Sequence, residues 1–452
     1  MSGSLRRTLG FRDLTLIVVG SVIGSGIFIV PSVVLRLSGG SVGVAMLVWL
    51  AGGVLSLLGA LTYGELGAMD RGSGGLYSYI RNAFGPLPAF LYGWTLFFVI
   101  GSGTIATLAV ATSTYMGQFI PLSPVAGKVV AVALVAVMAI TNVLGTRESA
   151  TFQNWATWLK VGVIALMTIL LVPLGGHLGG ELSTGLWPAT FTTTLASGIG
   201  LAMISVLWAY EGWQYVTFSC GEATDVQRTF PRAIALGTAA LIAIYMLANV
   251  AYVAALGAEG VAGSERVAAD AVTAVLGPLA GRLVALAIII SMYSAAHVTV
   301  LTAPRVYFVM AREGMFFKRL AEVHPRFGTP AFAIVTSCVW TALLAATGTF
   351  EQLLTYVVFV GWIFYALGAL ALIALRRSRP DAERPFRVPG YPLTPILFVI
   401  SAAAIVGNTM YSQPVRSAIG IGMVLLGVPA YLIWRRRAPE RETPEVVAEA
   451  SA

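Results

Sequence analysis

Long uncharged apolar runs alternate with short polar connectors along nearly the whole chain. The first, Leu14 to Leu35, holds 22 residues without a charge. A helix needs about 20 such residues to cross a bilayer. The pattern recurs twelve times, over residues 14–35, 42–66, 88–116, 125–145, 151–173, 193–220, 233–256, 275–310, 330–348, 352–375, 392–411 and 415–434. Runs of that length and number predict an all-α polytopic membrane protein with twelve transmembrane helices. Composition agrees: 57% of residues are hydrophobic and 11% charged, with a mean hydropathy of +0.84. Soluble domains carry about 25% charged residues. The first run is of full span length and lacks a small-residue cleavage site, so it reads as a span and not as a signal peptide.

The charges that remain carry an orientation. With the N-terminus in the cytoplasm, 21 of the 28 Lys and Arg residues fall on inside segments, among them Arg6, Arg7, Arg71, Arg81, Arg312, Arg376 and Arg435. Five fall outside: Arg36, Lys128, Arg266, Arg282 and Arg416. The bias predicts a multi-pass protein of the plasma (inner) membrane with both termini cytoplasmic. The net charge of +8 is therefore an orientation signal and no nucleic-acid footprint. Segment 1–12 and the tail 437–452 read as cytoplasmic, the tail as polar and disordered.

Two spans are interrupted. Span one contains "GSVIGSGIF", Gly20 to Phe28, where glycine costs about 1 kcal/mol per residue against alanine. Packing alone accounts for Gly20 and Gly24, four residues apart, as a close-approach motif. Span six contains "LWAYEGWQYVTFSC", Leu207 to Cys220, with Glu211 and Gly212 at mid-span. A carboxyl group at that depth marks function. Spans one and six are equivalent if residues 13–173 and 193–376 are two inverted five-helix repeats, followed by two further spans in 391–436. Broken helices at the bilayer midplane are how such transporters make a binding site. The N–H groups at Ser25 to Ile27 suit a carboxylate, and carbonyls near Val22 and Trp208 suit an ammonium. A site with both suits an amino acid. On this reading a side chain at Gly26 would project into the carboxylate gap.

At these residues the chain resembles the amino acid–polyamine–organocation superfamily of transporters. "GSVIGSGIF" is similar to that superfamily's first-span motif. "WAYEGWQY" (208–215), "YMLANVAYVAAL" (245–256), "AREGMFFKRLAEVHPRFGTPAFAI" (311–334) and "RPDAERPFRVPGYP" (379–392) resemble segments of its L-amino acid transporter family, in the expected order. The resemblance implies a leucine-transporter-like fold, two inverted five-helix repeats plus two peripheral helices, with helices one and six broken. It implies a secondary active transporter of L-amino acids working by alternating access, as a sodium-independent exchanger of neutral amino acids or by proton-coupled uptake. Cationic amino acids or amines are the other substrate class. Carried over by position, Val22, Ile23, Gly24, Ser25, Gly26 and Ile27 would line the site from span one. Trp208, Ala209, Tyr210, Glu211 and Gly212 would line it from span six. His297 stands in span eight where many relatives have Asn, and Glu211 stands where a glycine is common. The loop 117–127, "GQFIPLSPVAG", has no cysteine, so no disulfide-linked heavy subunit is expected.

Lys160 lies within span five. As a snorkelling residue it would sit beside Trp155 and Trp158. Counting from Thr151, its rise is about 13 Å, nearer the midplane. The resemblance places a lysine here, where an ammonium substitutes for the sodium ion of sodium-coupled cousins or itself carries a proton. Glu211 has three readings: a buried hydrogen-bonded group, a selector of cationic substrates, or a proton carrier. Glu65 falls at a cytoplasmic span end, solvated or paired. Ser102, Thr104 and Thr107 read as bonding within or between helices. No nucleotide-binding loop, nucleophile–base pair or metal-ligand cluster stands out, so neither an enzyme nor a metal or cofactor is predicted. A channel would need a continuous polar lining, whereas polar groups here cluster at two breaks.

Overall fold

A computed structural model of the chain describes residues 9–70, 74–117, 119–144, 146–184 and 186–437. Arg6, Arg7 and Arg71, which contribute to the positive-inside bias, and the tail from 438 onward lie outside the described residues. In chain order the helices are α1 (Phe11–Val22), α2 (Gly26–Leu37), α3 (Val42–Met69), α4 (Leu76–Phe84), α5 (Pro86–Thr95), α6 (Gly101–Met116), α7 (Pro124–Leu144), α8 (Thr146–Leu174), α9 (Leu178–Thr184) and α10 (Thr193–Ala209). They continue as α11 (Val226–Gly263), α12 (Val267–Leu276), α13 (Pro278–Thr302), α14 (Pro304–Arg312), α15 (Ala331–Thr347), α16 (Phe350–Ser378), α17 (Leu393–Ser412), α18 (Pro414–Leu425) and α19 (Gly427–Arg437). A π-helical turn, Leu96–Ile100, joins α5 to α6, and a 3₁₀ helix, Trp213–Glu222, follows α10.

Local chemistry sets several of these ends. The hydroxyls of Ser41 and Thr192 accept the N–H groups of Val44 and Leu195 at the starts of α3 and α10, the usual N-cap arrangement. Pro86, Pro278, Pro304 and Pro414 stand in the first turns of α5, α13, α14 and α18, where no N–H is needed.

Among the described residues, ten helical segments are long and apolar enough to cross a bilayer, and an eleventh is α1 with α2, bent by 46° at residues 23–25. The remaining apolar run, 330–348, falls on α15, whose 17 residues reach about 26 Å. The chain is therefore a multi-pass, all-helical membrane protein. α1 packs on α8, α11 and the 3₁₀ helix, while α2 packs on α10 and α11. The two halves of span one thus each meet one half of span six. Span three contains the π-turn, and side chains take up its loosened carbonyls: Tyr307 Oη on Leu96, Ser102 Oγ on Phe97 and Trp340 Nε1 on Phe98. Ser102, Thr104 and Thr107 bond back along their own helix as expected.

Glu65, at the end of α3, is fully buried. Arg376 donates to both of its oxygens, at 2.8 and 2.5 Å, and the Val388 N–H adds a third bond at 2.7 Å. Arg384 Nε stands 3.5 Å away, and the Arg376 guanidinium stacks on Tyr391. This cluster ties span two to the end of α16 and to the segment that follows it. A second pair, Arg81 with Glu313, to which the Tyr77 hydroxyl also donates, ties α4 to the end of α14. Removing one partner of a buried ion pair costs about 3–5 kcal/mol. Glu65→Gln, which leaves Arg376 and Arg384 uncompensated, should lower the melting temperature of the detergent-purified protein. A melting temperature equal to wild type would show that the cluster is not stabilising.

Candidate functional site

The break in span one begins where Ile23 leaves the helix, at φ −71° and ψ 87°. Gly24 N–H turns back to the Val22 carbonyl at 2.8 Å, and α2 restarts at Gly26. Among the described residues no acceptor reaches the N–H groups of Ser25, Gly26 and Ile27. They form the N-terminus of α2, the positive end of its dipole. The break in span six is the stretch Tyr210–Glu211–Gly212, where Gly212 adopts φ +123°. Only glycine holds that conformation without strain. A Cβ there would also lie 2.8 Å from the Ser21 carbonyl oxygen.

The two breaks are knitted together. Ser21 Oγ donates to the Gly212 carbonyl at 3.1 Å. The Trp208 indole N–H donates to Ser25 Oγ at 3.2 Å. Tyr245, on α11, places its hydroxyl 3.2 Å from the Val22 carbonyl and 3.0 Å from the Ala209 carbonyl, bridging both breaks. The Trp208 carbonyl accepts the Glu211 N–H at 3.0 Å. The carbonyls assigned to a substrate ammonium are therefore engaged here: that of Val22 by Tyr245 and Gly24, that of Trp208 within its own turn.

Gly26 faces a different neighbour from the one its sequence position implied. A Cβ at Gly26 would overlap Ala209 Cα and Cβ. The glycine lets α2 lie against the end of α10, so its missing side chain is a helix contact and not a gap for a carboxylate. Gly24 faces Leu108 and Ala295. Ile23, Ser25 and Ile27 are fully buried, and Trp208 is buried with its ring edge toward Phe350. Tyr210 turns away from α2, packing on Trp49 and Tyr245 and against Gly53 of α3.

Lys160 is buried, and its ammonium donates to the Gly20 carbonyl at 2.7 Å and the Ile23 carbonyl at 2.9 Å. Ser291 Oγ, on α13, donates to the same Ile23 carbonyl at 3.2 Å. The lysine is thus no snorkelling residue: Trp155 and Trp158 are exposed on the other side of α8. It serves backbone oxygens that the break in span one set free. Glu211 Oε1 accepts Gln214 Nε2 and the Tyr365 hydroxyl, both at 2.5 Å, and Gln214 Nε2 also reaches Tyr365 Oη at 2.7 Å. His297 packs between Phe152 and Tyr293.

Tyr245, Ser291, Gln214 and Tyr365 were not singled out in the sequence. Tyr245 carried the clearest signal: with Asn249 and Tyr252 it forms a polar stripe at i, i+4, i+7 along an otherwise apolar span. Among the described residues no cluster of metal-binding side chains occurs.

Residues 9–433 match the family model for amino acid permeases. The chain belongs to the amino acid permease family. The permease is 32% identical to the human cystine/glutamate transporter over 428 residues, which is 93% of this chain and 84% of that one. It is 30% identical to the serine/threonine exchanger SteT of Bacillus subtilis over 443 residues, 96% of this chain and 98% of that one. It is 32% identical to the mouse large neutral amino acids transporter small subunit 2 over 438 residues, 95% of this chain and 81% of that one. The permease is accordingly an amino acid transporter and not an enzyme.

Proposed function

We propose that this permease exchanges neutral L-amino acids across the plasma membrane, without sodium, by alternating access. The observation that carries the reading is the meeting of two helix breaks, at Ile23–Ser25 and Tyr210–Gly212, with three unclaimed N–H groups between them. The substrate carboxylate binds at the N–H groups of Ser25, Gly26 and Ile27. Val22, Ile23, Gly24, Ala209, Tyr210 and Gly212 form the backbone frame of the site, and Trp208 covers it. The substrate ammonium takes carbonyl oxygens of the same breaks, displacing part of the Tyr245 and Gly24 bonding. Lys160 holds the Gly20 and Ile23 carbonyls as a fixed cation, so no sodium ion is needed there. The antiparallel pairing of α1 with the 3₁₀ helix and of α2 with α10 supports two inverted repeats, 13–173 and 193–376. Spans eleven and twelve, 391–436, are peripheral, and α15 is the ninth of twelve spans. The positive-inside bias supports cytoplasmic termini. Both cysteines, Cys220 and Cys338, are buried, which supports a transporter without a disulfide-linked heavy subunit.

Glu211 favours one competing reading. Two neutral donors hold it, and among the described residues no cation pairs with it. A cationic substrate would supply that partner. The test is exchange in proteoliposomes against pH, with alanine and arginine as competitors. Alanine is expected to compete, and Glu211→Gln to retain neutral exchange with a flatter pH profile. A mutant that loses arginine recognition, with its pH profile intact, would overturn the neutral assignment and assign the carboxylate to substrate charge.

A further inference from the structure

Below Lys160, α8 carries a polar stripe: Gln153, Thr157 and Lys160 are spaced by four and three residues and share one helix face. That face lies on Gly20 of α1. A Cβ at Gly20 would overlap Thr157 Oγ1 and Gln153 Nε2, so the glycine is what lets the two helices close. Within this seam the polar groups are unequally served. Lys160 donates to the Gly20 and Ile23 carbonyls, and Thr157 Oγ1 donates to the Gln153 carbonyl at 2.8 Å. Gln153 is 2% exposed, and neither its Oε1 nor its Nε2 has a hydrogen-bond partner among the described residues. A buried amide without partners bears its full desolvation penalty.

The penalty belongs to one arrangement only. α1 connects to α2 through the three-residue break, bent by 46°, and a broken helix of this kind is a hinge. A swing of α1 from α8 would let water reach the Gln153 amide and would remove the penalty. We propose that Gln153 is a positioning residue loaded against the closed α1–α8 seam, so that it drives opening of the cytoplasmic side of the transporter. Lys160 pulls the seam shut through two carbonyls, and Gln153 opposes it from two turns away. The inference rests on the alternating-access reading and takes α1 as the element that moves relative to α8. Gln153 touches no substrate; it sets how often the site opens.

The test is Gln153→Met, which fills the same volume without an amide, beside Gln153→Asn, which keeps the amide. In the Met variant the melting temperature is expected to rise and the exchange turnover to fall by about tenfold, the factor that corresponds to about 1.4 kcal/mol of bias. Labelling of Thr157→Cys by a membrane-impermeant maleimide from the cytoplasmic face should fall by a similar factor in the Met background. The Asn variant should match wild type in turnover and labelling. A Met variant with a lowered melting temperature would show that the amide is paired in the closed seam and would overturn the inference. So would unchanged turnover or unchanged labelling. Failure of the alternating-access reading itself is distinguishable, because it would appear in the wild type as the absence of counterflow.

Discussion

Replacing Gly26 by alanine is expected to abolish amino acid exchange, with turnover reduced at least about a hundredfold, and to lower the melting temperature of the purified protein. The added methyl would overlap the Ala209 backbone and Cβ, and backbone cannot rotate out of the way as a flexible side chain can. α2 would have to withdraw from α10, which pulls Ser25 from the Trp208 indole and separates the two breaks. The effect on binding is therefore indirect, through the geometry of the pair. Ser25→Ala is the control: it removes one hydrogen bond, typically worth about 1 kcal/mol, and should leave a measurable, weakened transporter. A Gly26→Ala protein with wild-type affinity would show that the contact between α2 and α10 does not build the site.

Lys160→Ala should slow turnover far more than it weakens substrate binding, by about a hundredfold or more. The ammonium bonds two carbonyls, of Gly20 and Ile23, and bonds to a charged donor contribute about 1.5–3 kcal/mol each. Losing them strips α1 of its main polar tie to α8 and leaves one oxygen, that of Ile23, shared only with Ser291. The closed state then forms rarely, while the N–H groups of α2 remain in place for the substrate. Wild-type uptake should be indifferent to exchanging sodium for choline. A strict sodium requirement in the wild type would refute the role of the ammonium, and equal losses of binding and turnover in Lys160→Ala would assign the lysine to the substrate site.

Much of this architecture is legible in the sequence because the bilayer imposes it. Each apolar run falls on one helix or on successive helical segments, since a chain in lipid has to satisfy its backbone internally. Glycines and a carboxylate at mid-span betray the breaks for the same reason, as nothing else there tolerates them. Contacts between spans are another matter. The sequence puts Lys160 at mid-depth but does not say that it bonds carbonyls 140 and 137 residues away. Glu65 reads only as a span-end carboxylate, while its partner Arg376 is 311 residues distant. Such pairs depend on how each helix is rotated, which periodicity leaves open in spans that are apolar all round. Gly26 shows the limit most sharply: the sequence places it at the break but does not say that it faces Ala209. Likewise nothing in "WQYVTFSCGE" distinguishes the 3₁₀ helix observed there from an α-helix.

Counterflow in sodium-free proteoliposomes of the purified protein shows whether paired breaks in spans one and six form the site of an amino acid exchanger. Vesicles loaded with unlabelled neutral amino acid should take up the labelled form several times faster than empty vesicles, and Gly26→Ala vesicles should show no such difference. Equal uptake with and without internal amino acid would show that the protein is no exchanger, and acceleration that survives Gly26→Ala undiminished would place the site away from the paired breaks.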